Sequence, residues 1–113
     1  MPTRATINGP GMSSIDDALR RAIAGRRLLQ LTYHDRVRVV EPHDYGVLKA
    51  RTRVLVYQLR ASGAAGPKGI TGWRLLDVDK IDECVVLDET FPGSRGLEHR
   101  QHQSWDVLYA RVE

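Results

Sequence analysis

Arg36-Val-Arg-Val-Val-Glu-Pro-His-Asp-Tyr-Gly-Val47 is the stretch on which the fold turns. Its first half alternates charged and β-branched residues with a period of two, the mark of a half-buried strand. Pro42 has no N–H to give to a ladder, so the strand is predicted to stop there. His43 and Tyr45 are then carried into a glycine-bearing turn. A second strand follows at once, Arg51-Thr-Arg-Val-Leu-Val-Tyr-Gln-Leu-Arg60. The two segments hold the longest apolar alternation and the densest arginine of the chain, and are predicted to form the centre of a small β-barrel and its polar face.

Upstream, Leu28 to Tyr33 also has period two, and His34-Asp35-Arg36 is short enough to make a hairpin with the segment above. Before it the period is helical: Ile15, Leu19, Ala22 and Ile23 share one face. Ser13 or Ser14 offers an N-cap, Asp16 and Asp17 are expected in the first turn, and Gly25 supplies a stop. A helix of about three turns is not stable alone in water, so it is expected to dock on the strands.

Downstream, the glycine-rich Ala61–Thr71 reads as a hairpin loop, Gly72–Val78 as a fourth strand, Asp79–Asp82 as a turn and Glu83–Leu87 as a fifth strand. Trp105–Val112 can add a sixth. The fold class is therefore mainly β with one N-terminal helix: a small SH3-like or Sm-like β-barrel of about five strands, closed because closure removes exposed edges. Residues 1–12 read as a disordered arm, 13–95 as the barrel domain and 96–113 as a C-terminal extension.

A length of 113 residues gives one domain and one core. The single cysteine, Cys84, excludes an internal disulfide framework. No apolar run approaches the roughly 20 residues of a membrane span, and the reading is a soluble cytoplasmic protein. The formal charge is only +3, yet it is unevenly spread. Arg20–Arg60 carries ten basic residues against three acids, and Arg74–Phe91 carries two against six. A basic half of this kind attracts phosphate-bearing partners unless it is paired internally.

The order Ala22-Ile-Ala-Gly-Arg-Arg-Leu-Leu-Gln-Leu-Thr-Tyr33, Arg38-Val-Val-Glu-Pro42, Arg74-Leu-Leu-Asp-Val-Asp-Lys-Ile81 and Val86-Leu-Asp-Glu-Thr-Phe91 resembles the WYL domain family. The resemblance covers roughly Asp17 to Arg95. It implies a helix-flanked Sm-like barrel, the sensor module of bacterial transcription regulators, binding nucleotides or nucleic acid, single strands included. Arg74 and Lys80 fall on the two basic places of the family's Arg-x-Phe-x-x-x-Arg-Ile segment, with Leu76 at the aromatic one. Arg38 and Pro42 fall on its Arg-x-x-Glu-Pro step. The naming Trp-Tyr-Leu is replaced by Val54-Leu55-Val56, and the winged helix-turn-helix that usually precedes the domain is not in this chain.

The candidate binding residues are Arg38, His43, Tyr45, Gln58, Arg60, Trp73 and Arg74. Arg38, Gln58, Arg60 and Arg74 are expected to converge on a phosphate or carboxylate through charge-assisted bonds. Tyr45 and Trp73 offer faces on which a base can stack, set against the plainer reading of Trp73 as core and His43 as a turn cap. His99-Arg-Gln-His102 has a metal-ligand spacing, with Glu98 or His34 as a third ligand, but no adjacent general base. Asp77, Asp79 and Asp82 lack the spacing of a calcium loop. No Ser-His-Asp set or phosphate loop assembles from the spacing, so neither an enzyme nor a cofactor is expected. The first expectation is a stand-alone sensing module for a nucleotide or single-stranded nucleic acid that modulates a partner protein. The second is an oligomerising adaptor that uses the Trp105–Val112 strand for pairing.

Overall fold

The computed structural model describes residues 12–62, 71–102 and 104–113. Residues 1–11 of the expected N-terminal arm and most of the expected loop at 61–71 lie outside the described residues, and Met12, expected in the arm, opens the helix. The elements run α1 (Met12–Gly25), β1 (Arg27–Tyr33), β2 (Arg36–Leu48), β3 (Arg51–Ala61), β4 (Gly72–Asp77), a single 3-10 turn (Val78–Lys80), β5 (Ile81–Thr90), α2 (Leu97–Arg100) and β6 (Val107–Arg111). One helix followed by antiparallel strands is the mainly β architecture read from the sequence.

The sheet is ordered β4-β3-β2-β1-β5, with β6 added to β2. The expected closed barrel is not formed: among the described residues β4 and β5 each pair with one neighbour only, and the sheet stays open between them. The 13 residues of β2 are its spine. One side of β2 pairs with β3 from Arg38 to Leu48. The other side is shared, with β1 on Arg36–Val40 and β6 on Asp44–Val47. β4 and β5 are joined by the single turn Val78–Lys80, and Tyr33 Oη on β1 accepts the Asp77 N–H at 3.1 Å, so these strand ends meet without forming a ladder.

The predicted stop at Pro42 is also corrected, since the strand runs on to Leu48. Pro42 stands opposite Val56, and the register slips between Pro42 and Asp44, leaving His43 as an extra residue. The proline thus sits at a bulge, between the last residue paired to β1 and the first paired to β6. A missing N–H is tolerated at such a place. His43 and Tyr45 are therefore strand residues and buried, not loop residues.

Two-residue turns join the hairpins. His34 and Asp35 have φ of 51° and 62°, and Lys49 and Ala50 have 52° and 66°. Positive φ at both central positions matches the right-handed twist of the flanking strands. The helix begins at Met12, so Asp16 and Asp17 fall in its second turn, where they pair with Arg20 and Arg21 rather than serve the dipole. Its stripe Ile15, Ala18, Leu19, Ala22 and Ile23 is buried. That stripe covers one face of the sheet, against Leu29, Leu31, Val40, Val54 and Val56 in a single core. Leu19, fully enclosed, is worth about 2–5 kcal/mol against truncation to alanine.

The uneven charge of the sequence folds in on itself. Asp77 accepts ion pairs from Arg51, Arg53 and Lys80, Asp88 pairs with Arg27, and Glu89 with Arg60. The acids of Arg74–Phe91 so answer much of the basic half; the Asp88 and Glu89 pairs are exposed and individually weak, while three cations converge on Asp77, whose side chain is only 18% exposed. No described helix is long and apolar enough to cross a membrane.

Candidate functional site

Residues from three separate segments line a cleft of about 510 Å³ at the outer edge of the sheet. Leu48 and Lys49 come from the β2–β3 turn, Leu55 from β3, Trp73, Arg74 and Leu75 from β4. Gln101, His102, Ser104 and Trp105 close it from the chain between α2 and β6. Both tryptophans of the protein therefore line the same cavity.

Each indole is held by a carboxylate. Trp73 Nε1 donates to Glu98 Oε1 at 3.0 Å, and Trp105 Nε1 donates to Asp44 Oδ2 at 3.0 Å. The Trp73 ring is further braced by Tyr57, His43 and His102, with centroids at 5.3, 4.8 and 5.2 Å. A rigid aromatic wall costs little entropy when a flat ligand arrives. The cationic groups of Lys49 and Arg74 stand beside it.

Behind the cleft lies a buried polar network centred on Asp44, which has no exposed surface. Arg111 grips it with both prongs, Nε to Oδ1 at 2.8 Å and Nη2 to Oδ2 at 3.1 Å. His99 Nε2 donates to Oδ1 at 2.7 Å. In the neutral imidazole the tautomer follows from the partners: a carboxylate gripped by a guanidinium only accepts, which puts the proton on Nε2 and the lone pair on Nδ1. Ser94 Oγ lies 2.6 Å from that Nδ1 and is its donor. Beside this network, buried Glu41 accepts both prongs of Arg95, whose guanidinium also stacks over Tyr57 at 3.6 Å.

The seven residues singled out in the sequence are only partly gathered. Trp73 and Arg74 line the cleft. His43 is fully buried behind Trp73, not capping a turn. Its Nδ1–H donates to the Glu41 carbonyl at 2.9 Å, while Nε2 is buried without a partner among the described residues. Burial holds the imidazole below the ordinary histidine range, and neighbouring His99 adds to the effect. Arg38 donates to Gln58 Oε1 at 3.0 Å and to the Tyr33 carbonyl at 3.3 Å. Arg38 is pushed below its usual value first by burial, then by the charges of Arg36 and Arg74. Arg38, Gln58 and Arg74 therefore share one neighbourhood.

Tyr45 and Arg60 do not join them. Tyr45 is a core residue whose hydroxyl donates to Asp16 at 2.7 Å; burial, then Asp16, moves its pKa well above the ordinary phenol range. It is no stacking platform. Arg60 faces Glu89 at 3.8 Å, away from the cleft. The missed residues are Lys49, Trp105 and the Asp44–His99–Ser94 line. His99 lies in a stretch that reads as polar tail and Trp105 opens the expected sixth strand, and only the pairing of β6 with β2 brings both against the sheet. The His99–His102 spacing is not a metal pair, because both ring nitrogens of His99 are already engaged.

Comparison of the chain with protein-family models, with curated proteins and with solved structures gives no match.

Proposed function

We propose that the protein is a ligand-sensing module, of the kind its WYL-like sequence order implies, whose cleft takes a nucleotide or a short single strand of nucleic acid and whose occupancy modulates a partner protein. One observation carries this reading: Trp73 and Trp105 line one cavity together with Arg74 and Lys49. Indole faces stack bases at about 1–3 kcal/mol per base, whatever the base. Guanidinium and ammonium groups next to them suit phosphate. A volume of about 510 Å³ lies within the range of small-ligand pockets.

Since the chain has two tryptophans and both line the cleft, intrinsic fluorescence reports directly on occupancy. Titration with nucleoside phosphates, cyclic nucleotides and short oligonucleotides at low salt is expected to quench it and to raise Tm. Affinity for the oligonucleotides should fall steeply as salt is added. Unchanged fluorescence and Tm across all three ligand classes at low salt would remove the proposal.

The adaptor reading has an observation of its own. Val107, Leu108 and Tyr109 on β6 are 50%, 40% and 40% exposed, and β6 has β2 as its one strand partner among the described residues. An apolar strand with an unpaired edge can add to another sheet. Light scattering separates the two, since only this reading expects a concentration-dependent oligomer that Leu108→Lys dissolves.

A further inference from the structure

We infer that Ser94, His99 and Asp44 form a nucleophile–base–orienter line able to open small acyl esters, a site distinct from the tryptophan cleft. Ser94, from the segment after β5, and His99, from α2, are five residues apart, and Asp44 comes to them from β2, 55 positions from His99. They stand in a continuous line: Ser94 Oγ to His99 Nδ1 at 2.6 Å, and His99 Nε2 to Asp44 Oδ1 at 2.7 Å. None of the three lines the cleft described above.

The environment sorts the roles. Asp44 and His99 are 0% and 2% exposed, whereas Ser94 is at the surface. The base and its orienter are thus shielded from water, while the serine belongs to an exposed segment. The Arg111 fork and the Trp105 indole hold the Asp44 side chain in place, and it orients the neutral imidazole with the proton on Nε2 and the lone pair toward Ser94. This is the arrangement that activates a weak hydroxyl nucleophile, with the two ring nitrogens exchanged relative to the usual serine relay.

The segment geometry adds a donor. Ser94 follows Gly93 at φ 120° and precedes Gly96, whose N–H reaches Ser94 Oγ at 3.1 Å. A Cβ on Gly93 would meet the Glu113 carbonyl at 2.3 Å, and the Ser94 N–H itself bonds that carbonyl at 3.2 Å. The nucleophile is therefore anchored from both sides. Glu113 also lines a second cleft of about 280 Å³ with Arg26 and Arg111. Arg111 is committed to Asp44, and Arg26 gives this cleft its cationic side. Glu113 sets an acid against Arg26 in this cleft, so the favoured substrate class is a small neutral acyl ester.

The chemistry balances without any co-reactant but water. Ser94 Oγ bonds to the ester carbonyl carbon as its proton passes to His99 Nδ1, and the carbonyl π electrons move to oxygen. Collapse of that adduct breaks the carbon–alkoxide bond, and the alcohol leaves with the proton from Nδ1. Water then attacks the acyl-Ser94, gives its proton to Nδ1, and returns Ser94 as the free acid departs. Asp44 steadies the imidazolium during both transfers.

The full chain, incubated with a fluorophosphonate and separately with p-nitrophenyl acetate, tests this by intact mass and peptide mapping. The expected result is one adduct at Ser94 and release of p-nitrophenol that Ser94→Ala abolishes while Tm holds. His99→Gln is expected to slow labelling by about 10²-fold or more. Should His99→Gln fail to fold, Ser94→Cys provides the second measure. Its thiol, beside the same imidazole, should react with iodoacetamide at least about tenfold faster than a free thiol, as a depressed thiol pKa requires. No adduct on folded protein, an adduct elsewhere, equal labelling of Ser94→Ala, or an ordinary rate for Ser94→Cys overturns the inference. Ligand binding at the cleft is read by fluorescence, so either result stands without the other.

Discussion

Asp44 and Arg111, 67 positions apart, meet in a two-pronged ion pair whose carboxylate is wholly buried. The pair stitches β6 onto β2 and, through the Trp105 and His99 bonds to the same carboxylate, fixes the whole C-terminal segment. Removing one partner strands a charge in the interior. Arg111→Ala is therefore expected to cost about 3–5 kcal/mol. Replacing both, Asp44→Asn with Arg111→Met, should recover part of that loss. Urea unfolding of the three proteins checks it, and an equal loss in single and double variants would contradict it.

Gly46 makes a separate prediction about the same strand pair. A Cβ there would lie 2.1 Å from the Val107 carbonyl oxygen, a backbone atom with no rotamer to yield. Gly46→Ala is expected to push β6 off β2, at about 1–3 kcal/mol. Trp105 should shift to a wetter, redder emission with faster exchange of the β6 amides. Unaltered β6 protection would show that the contact relaxes cheaply.

What was legible in the sequence was whatever local period records. The stripe on α1, the alternation of β1 and β3 and the His34-Asp35 turn are short-range patterns, and the structure has them. Closure of the barrel was not local. It depends on whether the outer edges of β4 and β5 pair, and among the described residues these two strands, joined by one 3-10 turn, share no ladder. Pro42 misled because proline's missing donor forbids a regular ladder but not a bulge. Trp73 and Arg74 were found because their residue types carry the chemistry. Asp44 was passed over, since its value lies wholly in partners 55 to 67 positions away.

Burial of His43 makes stability depend on pH. Its folded pKa is lowered, first by burial and then by His99, so the unfolded chain binds more protons in acid. Stability is then full above the unfolded value of about 6.5 and falls as pH drops below it, by up to about 1.4 kcal/mol per unit, until the folded pKa is passed. Tm measured from pH 8 to 5 should decline below about 6.5. In His43→Gln the decline should be shallower, whereas an identical slope would acquit this residue.

Cys84 gives a simple check on the core. Burial pushes its thiol up to about 12, so almost no thiolate is present at neutral pH. Ellman's reagent is expected to leave the native protein unmodified and to titrate one thiol in urea. Rapid native reaction would show that half-buried Cys84 is open to the reagent despite its packing against the core.

Arg74 and Arg60 looked alike in the sequence, each a cation at the end of an apolar strand, and the fold separates them. Arg74 lines the cleft and shares its field with Arg38. Arg60 is an exposed partner of Glu89. Arg74→Ala is accordingly expected to weaken binding of a nucleoside phosphate by about tenfold or more, the loss of one charge-assisted contact of about 1.5–3 kcal/mol. Arg60→Ala should leave affinity unchanged within about twofold, since an exposed pair contributes about 0–1 kcal/mol and here touches no ligand. Fluorescence titration of both variants at one salt concentration makes the comparison. If Arg60→Ala weakened binding as much as Arg74→Ala, the phosphate would have to sit on the far edge of β3, and the cleft would not be the site.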